Sequence, residues 1–99
     1  MKISTEIDEI KKRIKPRIDD HVNYLMIGVE FVKESKEWHV TPCFEGGGDG
    51  HPSYIALDDP GILNPGPFQG VGETLPKAIA NIKKALDNAE QKDYCFYRW

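Results

Sequence analysis

The chain has 99 residues, of which 39% are hydrophobic and 29% are charged, and its formal net charge is −3. These values are typical of one soluble globular domain with a single small core. The slightly acidic balance excludes a global basic surface for nucleic acid, so direct nucleic-acid binding is not expected.

The chain also lacks the patterns of membrane insertion and export. No apolar run approaches the roughly 20 residues that span a bilayer, and the N-terminus has no basic segment followed by an apolar one. Cys43 and Cys95 are far apart and lack CxxC spacing, which predicts free, partly buried thiols in a reducing compartment. We therefore expect a cytoplasmic protein.

An isoleucine stripe predicts an N-terminal helix over about 4–15. Its members recur at helical spacing: Ile3, Ile7, Ile10, Ile14 and Ile18. Ser4 or Thr5 is the expected N-cap, and Pro16 should end the helix. The stripe has two interpretations, either a helix lying on a sheet or a helix that binds a second copy or a partner.

Two apolar segments separated by a polar turn predict a β-hairpin, with strands at about 24–33 and 38–44. Alternation favours one face of the first strand as the core face, with Leu25, Ile27, Val29 and Phe31 on it. Pro42 predicts an edge or bulge position in the second strand, because proline has no N–H to donate to a ladder.

The second half of the chain predicts further strands and a strong amphipathic helix. A Gly-rich loop at 45–52 precedes a short strand at 53–57. Turns follow at Asp58–Gly61 and Asn64–Pro67. A very short strand is expected at about 68–71, a helix capped by Thr74 at about 75–90, and a last strand at about 94–99. This order predicts an α+β fold, with a small antiparallel sheet of three to five strands and both helices packed on one face.

Sequence motifs for catalysis or cofactor binding are weak. The loop of Gly46–Gly50 is followed by no Lys-Ser/Thr and no helix start, which argues against phosphate binding. The best metal-ligand set is Asp49, His51, Asp58 and Asp59, but an Asp before Pro-Gly commonly stabilises the turn itself. His39 and Cys43 are about 13 Å apart if both lie in one strand, which is too far for proton transfer. We therefore predict no metal, no cofactor and no catalytic residue.

The C-terminal segment is unusually aromatic. Tyr94, Phe96, Tyr97 and Trp99 accompany Arg98. Aromatic residues and arginine are enriched in the centres of protein interfaces, but the same residues are equally suited to cover the core of the sheet.

The stretch 54–90 contains a series of short motifs, from Tyr54-x-Ala56 and Asp59-Pro60-Gly61, through Gly72-Glu73-Thr74, to Ala78, Asn81 and Ala85. In this series it resembles the small HicB-like antitoxin domain. The resemblance implies an oligomeric sheet-and-helix domain that neutralises a small ribonuclease toxin by covering its active surface. The N-terminal helix, the loop at 45–52 and the long 59–72 linker depart from the family pattern.

These observations predict a non-enzymatic protein-binding domain of HicB-like type, which neutralises or inhibits a partner protein and forms a homodimer. The resemblance implies that this partner is a small basic ribonuclease toxin. The alternatives are a phage- or prophage-type inhibitor of a host protein and, third, a metal-dependent or nucleotide-handling enzyme. The candidate interface residues are Tyr54, Asp59, Pro60, Phe68, Tyr94, Phe96, Tyr97, Arg98 and Trp99.

Overall fold

The computed structural model describes residues 2–18, 25–44 and 53–99. Helix α1 (Ile3–Ile14) is followed by a 3₁₀ turn (Lys15–Arg17), and strands β1 (Leu25–Val32), β2 (Glu37–Phe44), β3 (Ser53–Leu57) and β4 (Gly70–Gly72) lead to helix α2 (Leu75–Gln91) and strand β5 (Phe96–Arg98). The fold is α+β, as the sequence predicts.

The five strands form one antiparallel sheet in the order β1-β2-β3-β5, with β4 also beside β2. Strand β2 is its centre. It pairs with β1 along its whole length, from Leu25 opposite Phe44 to Val32 opposite Glu37. On its other side it pairs with β4 through residues 38–40 and with β3 through residues 43–44.

The position of Pro42 differs from the prediction, because β2 is an interior strand and not an edge. On the side of β3 and β4, residues 41 and 42 lie between the two ladders and pair with neither strand. Such a gap accommodates a residue without an N–H group, since the ladder is already interrupted there. Pro42 is buried on the core face.

The core lies between one sheet face and the two helices. Its fully buried side chains include Val40 and Ile55 from the sheet, Ile10 and Ile14 from α1, and Ile79, Ile82 and Leu86 from α2. The isoleucine stripe of α1 therefore faces the molecule's own core. This is the first of its two interpretations.

Helix α1 begins at Ile3, so its N-cap is Lys2 and neither of the predicted caps. Lys2 is the N-cap residue and makes no side-chain capping hydrogen bond, so Ser4 and Thr5 already lie inside the first turn. Helix α2 begins as predicted, because the Thr74 hydroxyl accepts a hydrogen bond from the Lys77 N–H at 3.3 Å. A serine or threonine near the start of an apolar stripe therefore predicts that a helix begins nearby, but it does not identify the N-cap residue.

The strand bounds at the C-terminal half also shift slightly. Strand β4 begins at Gly70, two residues later than predicted, while the Phe68 N–H donates to the Ile55 carbonyl at 2.8 Å. Strand β5 covers Phe96–Arg98. Backbone hydrogen bonds from Asp58 to Cys95 and from Trp99 to Tyr54 extend its ladder on both sides.

Candidate binding face of the sheet

The sheet face opposite the core carries no helix among the described residues. Side chains alternate along a strand, and directly opposed residues share a face. The register therefore places one connected set on this face, which we call the open face: Met26, Gly28 and Glu30 of β1, His39, Thr41 and Cys43 of β2, Tyr54 and Ala56 of β3, and Tyr97 of β5.

One end of the open face is aromatic. Tyr54 is 37% exposed, Tyr97 is 38% exposed and Trp99 is 56% exposed. The Trp99 N–H donates to the Tyr54 carbonyl at 2.9 Å, which fixes the chain end beside β3. We call Tyr54, Tyr97 and Trp99 the aromatic patch. Exposed aromatic side chains grouped on one surface are typical of binding sites rather than of solvated sheet faces.

The open face also holds a shallow groove of about 230 Å³ around Gly28, which Tyr54 of the aromatic patch borders. A Cβ built on Gly28 would lie 3.4 Å from the Thr41 carbonyl oxygen and 4.0 Å from the Cys43 sulfur, which are ordinary contact distances. The groove exists because Gly28 has no side chain, and a side chain there would fill it without a clash.

The polar groups of the groove do not form a nucleophilic centre. Burial raises the pKa of the Cys43 thiol, so the group remains protonated near neutral pH. The Thr41 hydroxyl is hydrogen bonded to the Gln69 side-chain oxygen at 3.1 Å. A reactive cysteine needs a lowered pKa, and that of Cys43 is raised. These groups are therefore better suited to line a binding surface.

The cysteines are free in the structure, as predicted, although they differ in environment. Cys43 is buried on the open face, whereas Cys95 is exposed and not partly buried. Cys95 precedes β5, where its carbonyl accepts the Asp58 N–H at 2.8 Å.

Five of the predicted interface residues fall into two groups. Tyr54, Tyr97 and Trp99 are exposed, whereas Phe68 and Phe96 lie in the core, where their rings meet edge to face at 4.8 Å. Phe96 is adjacent to Tyr97 in sequence, but alternation points it to the helix side. Phe68 and Phe96 therefore pack in the core, and their side chains are not accessible to a partner.

Tyr94 and Arg98 have intermediate roles at the margin of the sheet. Tyr94 is half-buried against the core, with the Lys92 ammonium 5.9 Å from its ring centre. The Arg98 guanidinium lies 4.3 Å from the ring centre of Phe44, on the core face. The aromatic C-terminal segment is thus divided, since Phe96 fills the core whereas Tyr97 and Trp99 remain on the surface.

Asp59 and Pro60 form a turn. The Asp59 carboxylate accepts the Gly61 N–H at 2.8 Å, and the Asp59 carbonyl accepts the Ile62 N–H at 3.0 Å. Such a side-chain bond is the usual role of an Asp before Pro-Gly. Asp49 and His51 of the candidate metal set lie outside the described residues. Within 2–18, 25–44 and 53–99, no three His, Cys, Asp or Glu residues are close enough to hold a metal ion.

Sequence reasoning did not single out Met26, Gly28, Thr41 or Cys43 as part of a site. The signal that finds them is alternation across the predicted hairpin, because Met26 and Gly28 lie on the strand face opposite Leu25 and Ile27. A lone glycine inside an apolar strand is a second signal, since it often marks a place where another group approaches closely.

Comparisons with models of known protein families, with curated proteins and with solved structures gave no match. No helix within the described residues is long and apolar enough to cross a membrane.

Proposed function

We propose that this protein is a non-enzymatic protein-binding domain of HicB-like antitoxin type, which neutralises a small basic ribonuclease through the open face of its sheet. The aromatic patch carries this proposal. Tyr54, Tyr97 and Trp99 are exposed together on a sheet face without a helix among the described residues. Rigid aromatic side chains supply contact area at a low entropic cost, which is why they dominate protein interfaces.

The residues that resemble the HicB-like pattern have identifiable structural roles, which supports a common strand-turn-strand-helix unit. Gly72 allows α2 to approach β4, since a Cβ there would lie 2.6 Å from the Ala78 nitrogen. Thr74 caps α2. The Asn81 amide donates to the Val71 carbonyl at 2.6 Å and ties the helix to the strand. Because packing and capping explain these residues, they support a likeness in fold to the HicB-like domain. The toxin partner is part of the proposal.

The charge balance favours a basic partner. The net charge of the chain is −3. An acidic domain associates faster with a basic protein than with an acidic one, and salt weakens this steering. The proposal places the complex in the cytoplasm, where the free thiols of Cys43 and Cys95 are stable.

The proposal includes a homodimer, but the isoleucine stripe is not its interface. Ile10 and Ile14 are fully buried in the chain's own core, and Ile3 and Ile18 pack against that core. The support that remains for a dimer is the unprotected sheet edge, which is treated below.

Affinity capture from the native host with matched variants tests the partner proposal. The tagged wild-type chain is compared with the double variant Tyr97→Ser/Trp99→Ser and with Leu63→Ser. Leu63 is 89% exposed on the loop between β3 and β4 and does not belong to the open-face set. We expect one small basic protein to co-purify with the wild type and with Leu63→Ser, but not with the double variant.

Other outcomes of the capture separate the alternatives. Recovery of a large host protein, lost with the same double variant, favours a phage- or prophage-type inhibitor over an antitoxin. Equal recovery with all three chains shows that the aromatic patch is not the binding surface. If nothing is captured, a divalent-cation titration of the melting temperature tests the enzyme alternative, because a ligand that binds the native state raises that temperature.

A further inference from the structure

Strand β1 forms an edge of the sheet. Its ladder with β2 is unbroken from Leu25 to Val32, and no other described strand pairs with it. We propose that this edge binds the same edge of a second copy, antiparallel about a two-fold axis through Val29, so that the two sheets become continuous. The inference rests on the homodimer of the proposed function but not on the toxin partner.

The edge has few of the features that normally prevent sheet-to-sheet pairing. Natural edge strands are protected by proline, lysine, bulges or short length. Strand β1 has 8 residues without proline, lysine or bulge, and Glu30 is its one charged residue. Met26, Val29 and Phe31 are exposed large hydrophobic residues on it. Without a covering partner, such an edge is a site of aggregation.

The sequence of β1 is complementary to itself in one particular register. A two-fold axis perpendicular to the sheet keeps each side chain on its own face, so it must pass through a residue and not between residues. An axis through Val29 opposes Ile27 to Phe31 of the second copy, and Met26 to Val32. Apolar residues then face apolar residues on both sides of the sheet.

Charge disfavours the neighbouring registers. An axis through Glu30 would oppose two carboxylates directly, which is destabilising. An axis through Gly28 would oppose Glu30 to Met26 of the second copy. The Val29 axis opposes Glu30 to Gly28 of the second copy, the position without a side chain.

The groove around Gly28 is shaped for this arrangement. Each Glu30 lies beside the groove of the other copy, where the missing Cβ of Gly28 leaves room for a side chain. His39 lines the same groove and lies opposite Glu30 in the β1–β2 register, so an imidazole N–H is at hand for a carboxylate. The second copy thus adds the side chain of its Glu30 to a groove that the first chain lines with its own Glu30.

The contact area sets the expected affinity. Stable interfaces bury about 1,200 to 2,000 Å² in total, and smaller ones are weak. One strand pair of 8 residues is only about 27 Å long, so we expect a small interface and a weak association. We expect a dimer with a dissociation constant in the micromolar range.

Sedimentation of the full chain over a range from about 1 µM to about 1 mM measures this association. Val29→Lys places two ammonium groups opposite each other at the axis, and we expect at least about tenfold weaker dimerisation. Val29 is exposed, so the variant should keep its fold, which circular dichroism and a thermal melt check. Gly28→Val fills the groove and should also weaken the dimer. Leu63→Lys is the matched control and should leave it unchanged.

Cross-linking tests the register in a Cys95→Ser background, where Cys43 is the remaining, buried thiol. With a short bifunctional thiol reagent, Val29→Cys should cross-link to itself. Phe31→Cys alone should not, because its two copies lie about 14 Å apart. A mixture of Ile27→Cys and Phe31→Cys chains should cross-link.

The outcomes of these experiments distinguish whether the dimer exists from where its interface lies. A monomeric wild type over the whole range overturns both the homodimer and the edge assignment. A dimer that survives Val29→Lys overturns the edge assignment alone. Self-cross-linking of Phe31→Cys without Val29→Cys overturns the register. If the edge of β1 pairs only with a different protein, the proposal that a second copy binds there is wrong.

Discussion

Helices α1 and α2 have similar apolar stripes, but they are attached to the molecule differently. Helix α2 lies directly on the backbone of β4, where Gly70 and Gly72 leave no room for a side chain. Helix α1 contributes the fully buried Ile10 and Ile14, while its polar residues are tied to α2 by ion pairs. One helix is fixed by close packing, and the other is fixed in part by charge.

The order of the ion pairs also shows the direction of α1 relative to α2. Lys83 binds Glu6 and Glu9, Arg13 binds Asp87 and Glu90, and Arg17 binds Asp93. The order of partners rises together along both helices, so the two helices run parallel. An amphipathic pattern therefore shows which side of a helix turns inward, but not how closely it packs or what holds its outer side.

Gly70→Ala should have the largest effect among the substitutions that test how the two helices are attached. A Cβ on Gly70 would lie 2.7 Å from the Ile82 Cβ and nitrogen, so α2 must move away from the sheet. We expect a loss of about 3 kcal/mol in the free energy of unfolding, measured by urea denaturation. Gly28→Ala is the control, because its Cβ meets only ordinary contacts, and it should change stability by less than about 0.5 kcal/mol. Equal losses in both variants would contradict close packing as the attachment of α2.

Arg13→Ala tests the attachment of α1 by charge. The Arg13 guanidinium donates to Glu90 at 2.7 and 3.0 Å and is bonded to Asp87 as well. Because these groups are partly exposed, we expect a loss of only about 1 kcal/mol. Lys77→Ala removes an exposed pair with Glu73 at 3.8 Å and should change nothing measurable. If both variants change the free energy of unfolding equally, the ion pairs of Arg13 do not hold α1.

Acidification should abolish the effect of Arg13→Ala. The hydrogen bond from Arg13, followed by its charge, holds the pKa of the Glu90 carboxyl below its ordinary value of 4.5. A lowered pKa contributes stability that is complete above the unfolded value and is lost as the pH falls through the folded value. The stability difference between wild type and variant should therefore shrink below about pH 4.5. Urea denaturation at a series of pH values measures it, and a constant difference would exclude the ion pair as its cause.

Lys2→Asp is the smallest of these changes, and it should make the start of α1 resemble that of α2. Lys2 has extended backbone angles, φ −92° and ψ 113°, and its side chain caps no N–H. An Asp there supplies the missing acceptor, and we expect a gain of about 0.5 to 1 kcal/mol. Lys2→Ala should give no such gain in the same denaturation experiment. If it does, removal of the lysine charge and not capping is responsible.

The sequence predicts the order and type of the elements well, because its periodic patterns are long and its turns are rich in proline and glycine. It fails where tertiary contacts decide. The predicted core face of β1 is correct in its parity, but Val29 and Phe31 on that face are exposed. Alternation assigns a residue to a face, whereas the helices determine how far along an edge strand that face is covered.

The same limit applies to the candidate site. Aromatic composition identifies Tyr97 and Trp99 but equally selects Phe68 and Phe96, which are buried. Tyr97 and Phe96 are neighbours in a predicted strand and therefore point to opposite faces, but only the register with β3 reveals which of the two faces the core. Gly28 contributes only the space that it leaves, so the single sequence signal at this position is a glycine inside an apolar strand.

The two tryptophans give the molecule separate optical reporters for its two proposed contacts. Trp38 packs against Phe31 of the edge strand, with ring centres 5.4 Å apart. Trp99 belongs to the aromatic patch on the open face. Replacing either indole by phenylalanine leaves the fluorescence of the other, so a spectral shift on self-association and a shift on toxin binding can be told apart in the unlabelled protein.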